Sequence, residues 1–95
     1  MKVNRKIGQN KQRPRLWLEG KILLAAGYAP GDHYDLEYNS NGFSLIPDRQ
    51  GARKVSGKGE KPIVDILGGA IEKADFQHGD VVTVEVVRDL IVVSL

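Results

Sequence analysis

LWLEGKILLAAGYAPGDHYDLE (residues 16–37) and VDILGGAIEKADFQHGDVVTVE (residues 64–85) are the two stretches on which the fold turns. Displaced by 48 positions they align without a gap and share Gly20/Gly68, Ala26/Ala74, Gly31/Gly79, Asp32/Asp80 and Glu37/Glu85. Five identities in 22 columns are too few to establish a duplication. The apolar columns carry it further: Leu16/Val64, Leu18/Ile66, Leu23/Ile71, Tyr28/Phe76, Tyr34/Val82 and Leu36/Val84 all keep their character. Self-similarity at a fixed spacing marks a chain assembled from copies of one small unit.

Each copy reads as strand, helix and hairpin. An apolar strand (Leu16–Leu18, Ile63–Ile66) closes on a Gly, and about two turns of helix follow, Lys21–Ala26 and Gly69–Ala74. Ile22, Leu23 and Ala26 in one helix, and Ala70, Ile71 and Ala74 in the other, have the spacing of a buried helical face. Gly27 suits a left-handed helix end, with Asp75 in its place in the second copy. The Gly-Asp pairs turn the chain into the hairpins, where Asp32 and Asp80 are expected to bond local backbone amides.

The hairpins differ in polarity. In the first, Tyr34, Leu36 and Tyr38 alternate with polar residues, Asn41-Gly42 signals a tight turn, and Phe43 and Leu45 resume the buried face. In the second, the expected inner set is Val82, Val84, Val86, Leu90 and Val92. Its outer set, Val81, Val87, Ile91 and Val93, is also apolar, which predicts a covering element or a protein contact there.

Ninety-five residues suffice for one compact core. A unit of about 33 residues does not bury a core alone, but two with interleaved hairpins do. The expected fold is therefore mainly β with two short helices, a closed or nearly closed barrel of pseudo-twofold symmetry. Its parts are a basic arm over 1–15, a first repeat over 16–48, a flexible basic linker over 49–62 and a second repeat over 63–95. There is no Cys, no apolar run long enough to span a bilayer and no signal-peptide pattern, which points to the cytoplasm.

A net charge of +2 hides a segregation. Residues 1–15 hold Lys2, Arg5, Lys6, Lys11, Arg13 and Arg15 without an acid, and residues 49–62 hold Arg49, Arg53, Lys54, Lys58 and Lys61 against Glu60. The remainder is strongly acidic. Basic segments on an acidic body suit a polyanionic partner, or serve only to solubilise it.

The stretch PRLWLEGKILLAAGYAPGDHYDLEYNSNGFSLIPD (residues 14–48), with Arg13 ahead of it, resembles the SymE-like branch of the AbrB/MazE superfamily. Residues 63–95 match that pattern more loosely. The resemblance implies a swapped-hairpin β-barrel, here a single-chain pseudo-dimer, and a DNA-binding regulator, an antitoxin or a nucleic-acid-directed toxin. It also implies contacts from basic residues about the first strand, which fall here on Arg13, Arg15 and Lys21. The second copy offers only Lys61 there.

Trp17 lies between Arg15 and Lys21 and suits either base stacking or burial under a basic segment. His33 and His78 flank the two Gly-Asp turns but are not equivalent under the repeat, so no catalytic centre, metal site or cofactor is expected. The leading expectation is nucleic-acid binding, to DNA rather than RNA, by a monomeric pseudo-dimer or a homodimer. The alternative is a protein-interaction module, such as an inhibitor carried by a phage or other mobile element, that docks through Val81, Val87, Ile91 and Val93.

Overall fold

A computed structural model describes residues 1–95. Ten strands and two helices follow in the order β1 (Lys2–Lys6), β2 (Gly8–Asn10), β3 (Arg13–Glu19), α1 (Lys21–Ala25), β4 (His33–Asn39), β5 (Gly42–Pro47), β6 (Arg53–Lys54), β7 (Ser56–Lys58), β8 (Lys61–Leu67), α2 (Gly68–Lys73), β9 (Val81–Val87) and β10 (Leu90–Ser94). A six-stranded sheet has the order β1-β9-β10-β5-β4-β6, and a four-stranded sheet the order β2-β3-β8-β7. Every pairing is antiparallel. The protein is thus mainly β with two short helices, as expected. The sheets are open rather than closed into one barrel.

The internal duplication runs through the whole chain. β3 pairs with β8 so that Trp17 stands opposite Asp65, and β5 pairs with β10 so that Ser44 stands opposite Val92. Each of these pairs joins positions 48 residues apart, so a pseudo-twofold axis passes through the middle of both sheets. The core obeys the same axis. Its twenty buried residues include Ile7/Val55, Leu16/Val64, Leu18/Ile66, Ile22/Ala70, Leu23/Ile71, Tyr28/Phe76, Tyr34/Val82, Phe43/Ile91 and Leu45/Val93, leaving only Ala26 and Val84 without a fully buried mate. α1 and α2 pack on β3 and β8 and bury Ile22, Leu23, Ala70 and Ile71. Complete burial of an aliphatic side chain the size of Leu or Ile contributes about 1.5–3 kcal/mol.

The basic segments are neither arm nor linker. β1 lines one edge of the six-stranded sheet, and β6 the other; β2 and β7 form the edges of the four-stranded sheet. Between β1 and β2 the chain changes sheet at Ile7, and between β6 and β7 it changes sheet at Val55. Both residues are almost wholly buried. Their backbones are fixed identically. Ile7 N–H donates to the Asp80 carbonyl while the Ile7 carbonyl accepts from Gly79 N–H; Val55 N–H donates to the Asp32 carbonyl while the Val55 carbonyl accepts from Gly31 N–H. β1 pairs with β9 of the second repeat, and β6 with β4 of the first, so the copies exchange their leading strands.

Segment 49–62 also makes close backbone contact. A Cβ on Gly51 would lie 2.5 Å from the Tyr34 carbonyl oxygen and 2.9 Å from the Tyr34 nitrogen. Gly51→Ala is accordingly expected to cost roughly 1–3 kcal/mol, since neither backbone has room to give. Gly69→Ala, where a Cβ meets nothing within 4 Å, should leave the urea midpoint unchanged or raise it slightly. Equal midpoints for the two variants would mean that Gly51 is not packed.

Two turn readings are corrected. The first hairpin turns at Ser40–Asn41, because Asn39 already pairs with Gly42. Gly42 is required by close approach instead, as a Cβ there would overlap the Val93 carbonyl. In the second hairpin Val87 pairs with Leu90 across a two-residue turn, which puts Val86 opposite Ile91 and Val84 opposite Val93. Paired residues share a face, so the inward positions change from even to odd numbers across the turn. Ile91 and Val93, expected outside, are therefore fully buried, while Leu90 and Val92, expected inside, are half-exposed. Val81 and Val87 do face solvent. Asp32 and Asp80 accept from the Ala29 and Gln77 amides, as expected.

Candidate nucleic-acid interface

Alternation along β3 sends Leu16 and Leu18 into the core and Arg13, Arg15, Trp17 and Glu19 to the outer face of the four-stranded sheet. The structure brings Arg13, Arg15 and Trp17 together there and supplies each with a partner that the sequence did not announce. Arg15 makes a bidentate ion pair with Asp65, both contacts 2.9 Å, beside the pseudo-twofold axis. Its guanidinium carbon also lies 4.6 Å from the centre of the Trp17 ring. Trp17 is 41% exposed and donates its indole N–H to Glu19, 3.1 Å away. Glu19 in turn pairs with Lys61 at 3.2 Å, and Arg13 pairs with Glu72 of α2. The Trp17 N–H and then Lys61 hold the Glu19 carboxyl below its usual range; the hydrogen bond to Asp65 keeps Arg15 more firmly protonated.

Arg13 and Arg15 on β3, and Lys61 on β8, are thus internally neutralised. Lys2, Arg5, Lys6, Lys11, Lys21, Arg49, Arg53, Lys54 and Lys58 form no ion pair. Among them, the internal twofold relates Arg5 to Arg53 and Lys6 to Lys54. Arg5 stands opposite buried Val82 and Arg53 opposite buried Tyr34; Lys6 stands opposite Val81 and Lys54 opposite His33. Each Arg-Lys pair is followed at once by the buried residue, Ile7 or Val55, that carries the chain from one sheet to the other. The result is two equivalent basic corners, on opposite edges of the six-stranded sheet. Six strands laid flat would separate them by ~24 Å, and the four-stranded sheet that the same corners flank by ~14 Å, so their separation lies between the two.

The outer face of the six-stranded sheet has a different character. The register places Glu37, Glu85 and Asp35 there with Val87, Leu90, Val92 and Ile46 between them. Val81 and Val87 are 57% and 45% exposed. Lys2, Lys6 and Lys54 share this register at the two edges, so the middle of the face is acidic and apolar while its rims are basic.

The two histidines lie apart. His33 donates Nδ1–H to the Gly51 carbonyl at 3.0 Å, while His78 lies in the second Gly-Asp turn and has no side-chain hydrogen bond. No three His, Cys, Asp or Glu side chains converge in a geometry that could hold a metal ion. No helix is long and apolar enough to cross a membrane. No family model, curated protein or solved structure matches the chain.

Proposed function

We propose that this protein binds duplex DNA as a single-chain pseudo-dimer of the swapped-hairpin type, the SymE-like and AbrB-like architecture that residues 13–48 resemble. The observation that carries the reading is the twofold relation between the unpaired Arg5-Lys6 and Arg53-Lys54 corners. The strands of a duplex are themselves related by local twofold axes, so two equivalent cation pairs meet equivalent phosphates. A separation of ~14–24 Å corresponds to about four to seven base pairs at 3.4 Å each. The DNA lies along the outer face of the four-stranded sheet, with Arg5 and Arg53 on the side of each edge that faces it and the long side chains of Lys6 and Lys54, whose register is that of the opposite face, reaching round the edge. Lys11 and Lys58 flank it, and Trp17 with Arg15 sits at its centre, the only place where side chains of this face could touch bases. A regulator or antitoxin would use such a grip.

Fluorescence anisotropy with a labelled duplex of about 20 base pairs, at 50 and 200 mM salt, tests this. Four to six phosphate contacts predict that affinity falls by roughly two to three orders of magnitude across that range. An absence of binding at 50 mM salt contradicts the proposal.

One observation favours a second reading, docking of a protein partner on the six-stranded sheet. Val81 and Val87 are exposed on it, and no element of the chain covers them. Ile91 and Val93 cannot take part, since they are buried. A monomer in solution that captures one protein but no duplex would support this reading over the first.

A further inference from the structure

One corner of the molecule holds a cavity that its pseudo-symmetric counterpart lacks. It lies where the end of α1 meets the start of β4, the end of β5 and the β9–β10 turn, and has a volume of about 460 Å³. Tyr28, Asp32, His33, Asp48, Arg49 and Asp89 contribute its polar lining. At the positions 48 residues away from Tyr28, His33 and Asp89 stand Phe76, Val81 and Asn41. The second corner keeps the same backbone, including the matched turns at Asp32 and Asp80, but packs Phe76 against Phe43. No cavity forms there.

The sister corner shows what the fold does not need. A Phe76 ring suffices for packing at this site, yet Tyr28 adds a hydroxyl. Tyr28 is 3% exposed, and its hydroxyl is buried with no hydrogen-bond partner. Burial and then the charge of Asp89 raise the pKa of the phenol, so it stays protonated. Buried polar groups are almost always satisfied, and one that is not calls for an explanation. The surrounding carboxylates are also short of partners. None of Asp32, Asp48 and Asp89 is in an ion pair. Asp32 spends Oδ2 on the Ala29 amide and Asp48 spends Oδ1 on the Gln50 amide. The Asp89 carboxylate accepts no hydrogen bond. With His33 Nδ1–H committed to Gly51, its Nε2 is a further acceptor in the neutral ring.

We propose that this cavity binds a small organic cation rich in N–H donors, an amine or a guanidinium. Three carboxylates against the single guanidinium of Arg49 exclude phosphate and carboxylate ligands. Donors from such a cation would satisfy Asp32 and Asp89, and a small shift of the Tyr28 ring would bring its hydroxyl oxygen, closed off from solvent in the empty cavity, within reach of one N–H. The site abuts the Arg53-Lys54 corner, since His33 stands opposite Lys54 and the Asp32 carbonyl accepts from Val55 N–H, and it exists in only one half of the molecule.

The test is titration of the full chain with agmatine at constant ionic strength, followed by backbone NMR shifts. A capped arginine dipeptide serves as a second probe for a partner protein's side chain. Saturable shifts confined to Tyr28, Asp32, His33 and Asp89 are expected, with Kd at or below about 1 mM. Asp89→Asn should weaken binding about tenfold or more, as loss of a charged hydrogen bond does. Tyr28→Phe should weaken it several-fold without lowering the urea midpoint. Both substitutions copy residues that the sister corner already accommodates, so each variant should fold. Tighter binding of agmatine points to a free small molecule, and equal binding of the dipeptide to a side chain; either supports the site. Absence of saturable shifts, or shifts that neither substitution alters, overturns it.

Discussion

Replacement of Arg5, Lys6, Arg53 and Lys54 together by alanine should lower the log–log salt slope of duplex binding by about 3.6, at about 0.9 for each phosphate no longer neutralised. At 0.1 M salt, relative to 1 M, the same four cations account for roughly three to four orders of magnitude in affinity, because the released counterions set the free energy. The two halves of the substitution should contribute equally. Arg5→Ala with Lys6→Ala, and Arg53→Ala with Lys54→Ala, each remove one corner and should each reduce the slope by about 1.8. These residues lie on solvent-facing edge strands, and surface changes of this kind usually alter stability by less than about 0.5 kcal/mol. Arg13→Ala should reduce the slope less, since that cation is already paired with Glu72. Loss of binding from Arg13→Ala alone, with both corner variants unchanged, would place the phosphate contact on β3 instead.

Ile7→Ala is expected to cost about 2–5 kcal/mol, the range for truncating a fully buried aliphatic side chain. Val55→Ala removes less volume and should cost about 2 kcal/mol. Against a total stability of about 5–15 kcal/mol, these are large fractions. The melting temperature should fall by at least about 8 °C for Ile7→Ala, at 4–8 °C per kcal/mol for a chain of this size. A residue in a disordered basic arm would show no such effect. Lys2→Ala and Lys58→Ala, exposed on the neighbouring strands, supply the comparison and should be nearly neutral. The effects of Ile7→Ala and Val55→Ala should also add, as the two corners share no hydrogen bond.

The part of the fold that could be read from residue order is the part with dense apolar patterning. The central strands, both helices, the Gly-Asp turns and the 48-residue spacing follow from Leu16, Leu18, Ile22, Leu23 and their repeat mates. The edge strands did not declare themselves. β1 to β2 contributes a single fully buried side chain, Ile7, and β6 to β7 a single one, Val55. Apart from half-buried Val3, the remainder of both segments is polar because an edge strand has one neighbour and much solvent, and Lys and Arg on an edge discourage further pairing. Charge alone therefore made two structural segments resemble tails. A signal was present: Arg5-Lys6-Ile7 and Arg53-Lys54-Val55 stand 48 residues apart, as do Pro14 and Pro62.

The candidate interface was legible as composition but not as geometry. The basic residues were evident, and their division into paired and unpaired sets was not. Asp65, Glu19 and Glu72 neutralise Arg15, Lys61 and Arg13 across strands or between a strand and a helix, and such contacts depend on register. The second hairpin was misread for a similar reason. A two-residue turn reverses the inward phase, and nothing in VVTVEVVRDLIVVSL distinguishes one phase from the other when both faces are apolar. The free cations emerged in twofold-related places only after the edge strands had been assigned to the repeats.

Both basic segments are integral strands of a twofold fold, pinned at Ile7 and Val55. Hydrogen exchange at those two backbone amides is the sharpest probe of that arrangement, since each donates to a carbonyl of the opposite repeat at 2.8 Å. Both amides should be protected by a factor on the order of a thousand or more, and to a similar degree, as befits bonds that open only with the core. Exchange of either amide at the rate of an unstructured chain would contradict it, returning that segment to a tail and removing the symmetric grip as well.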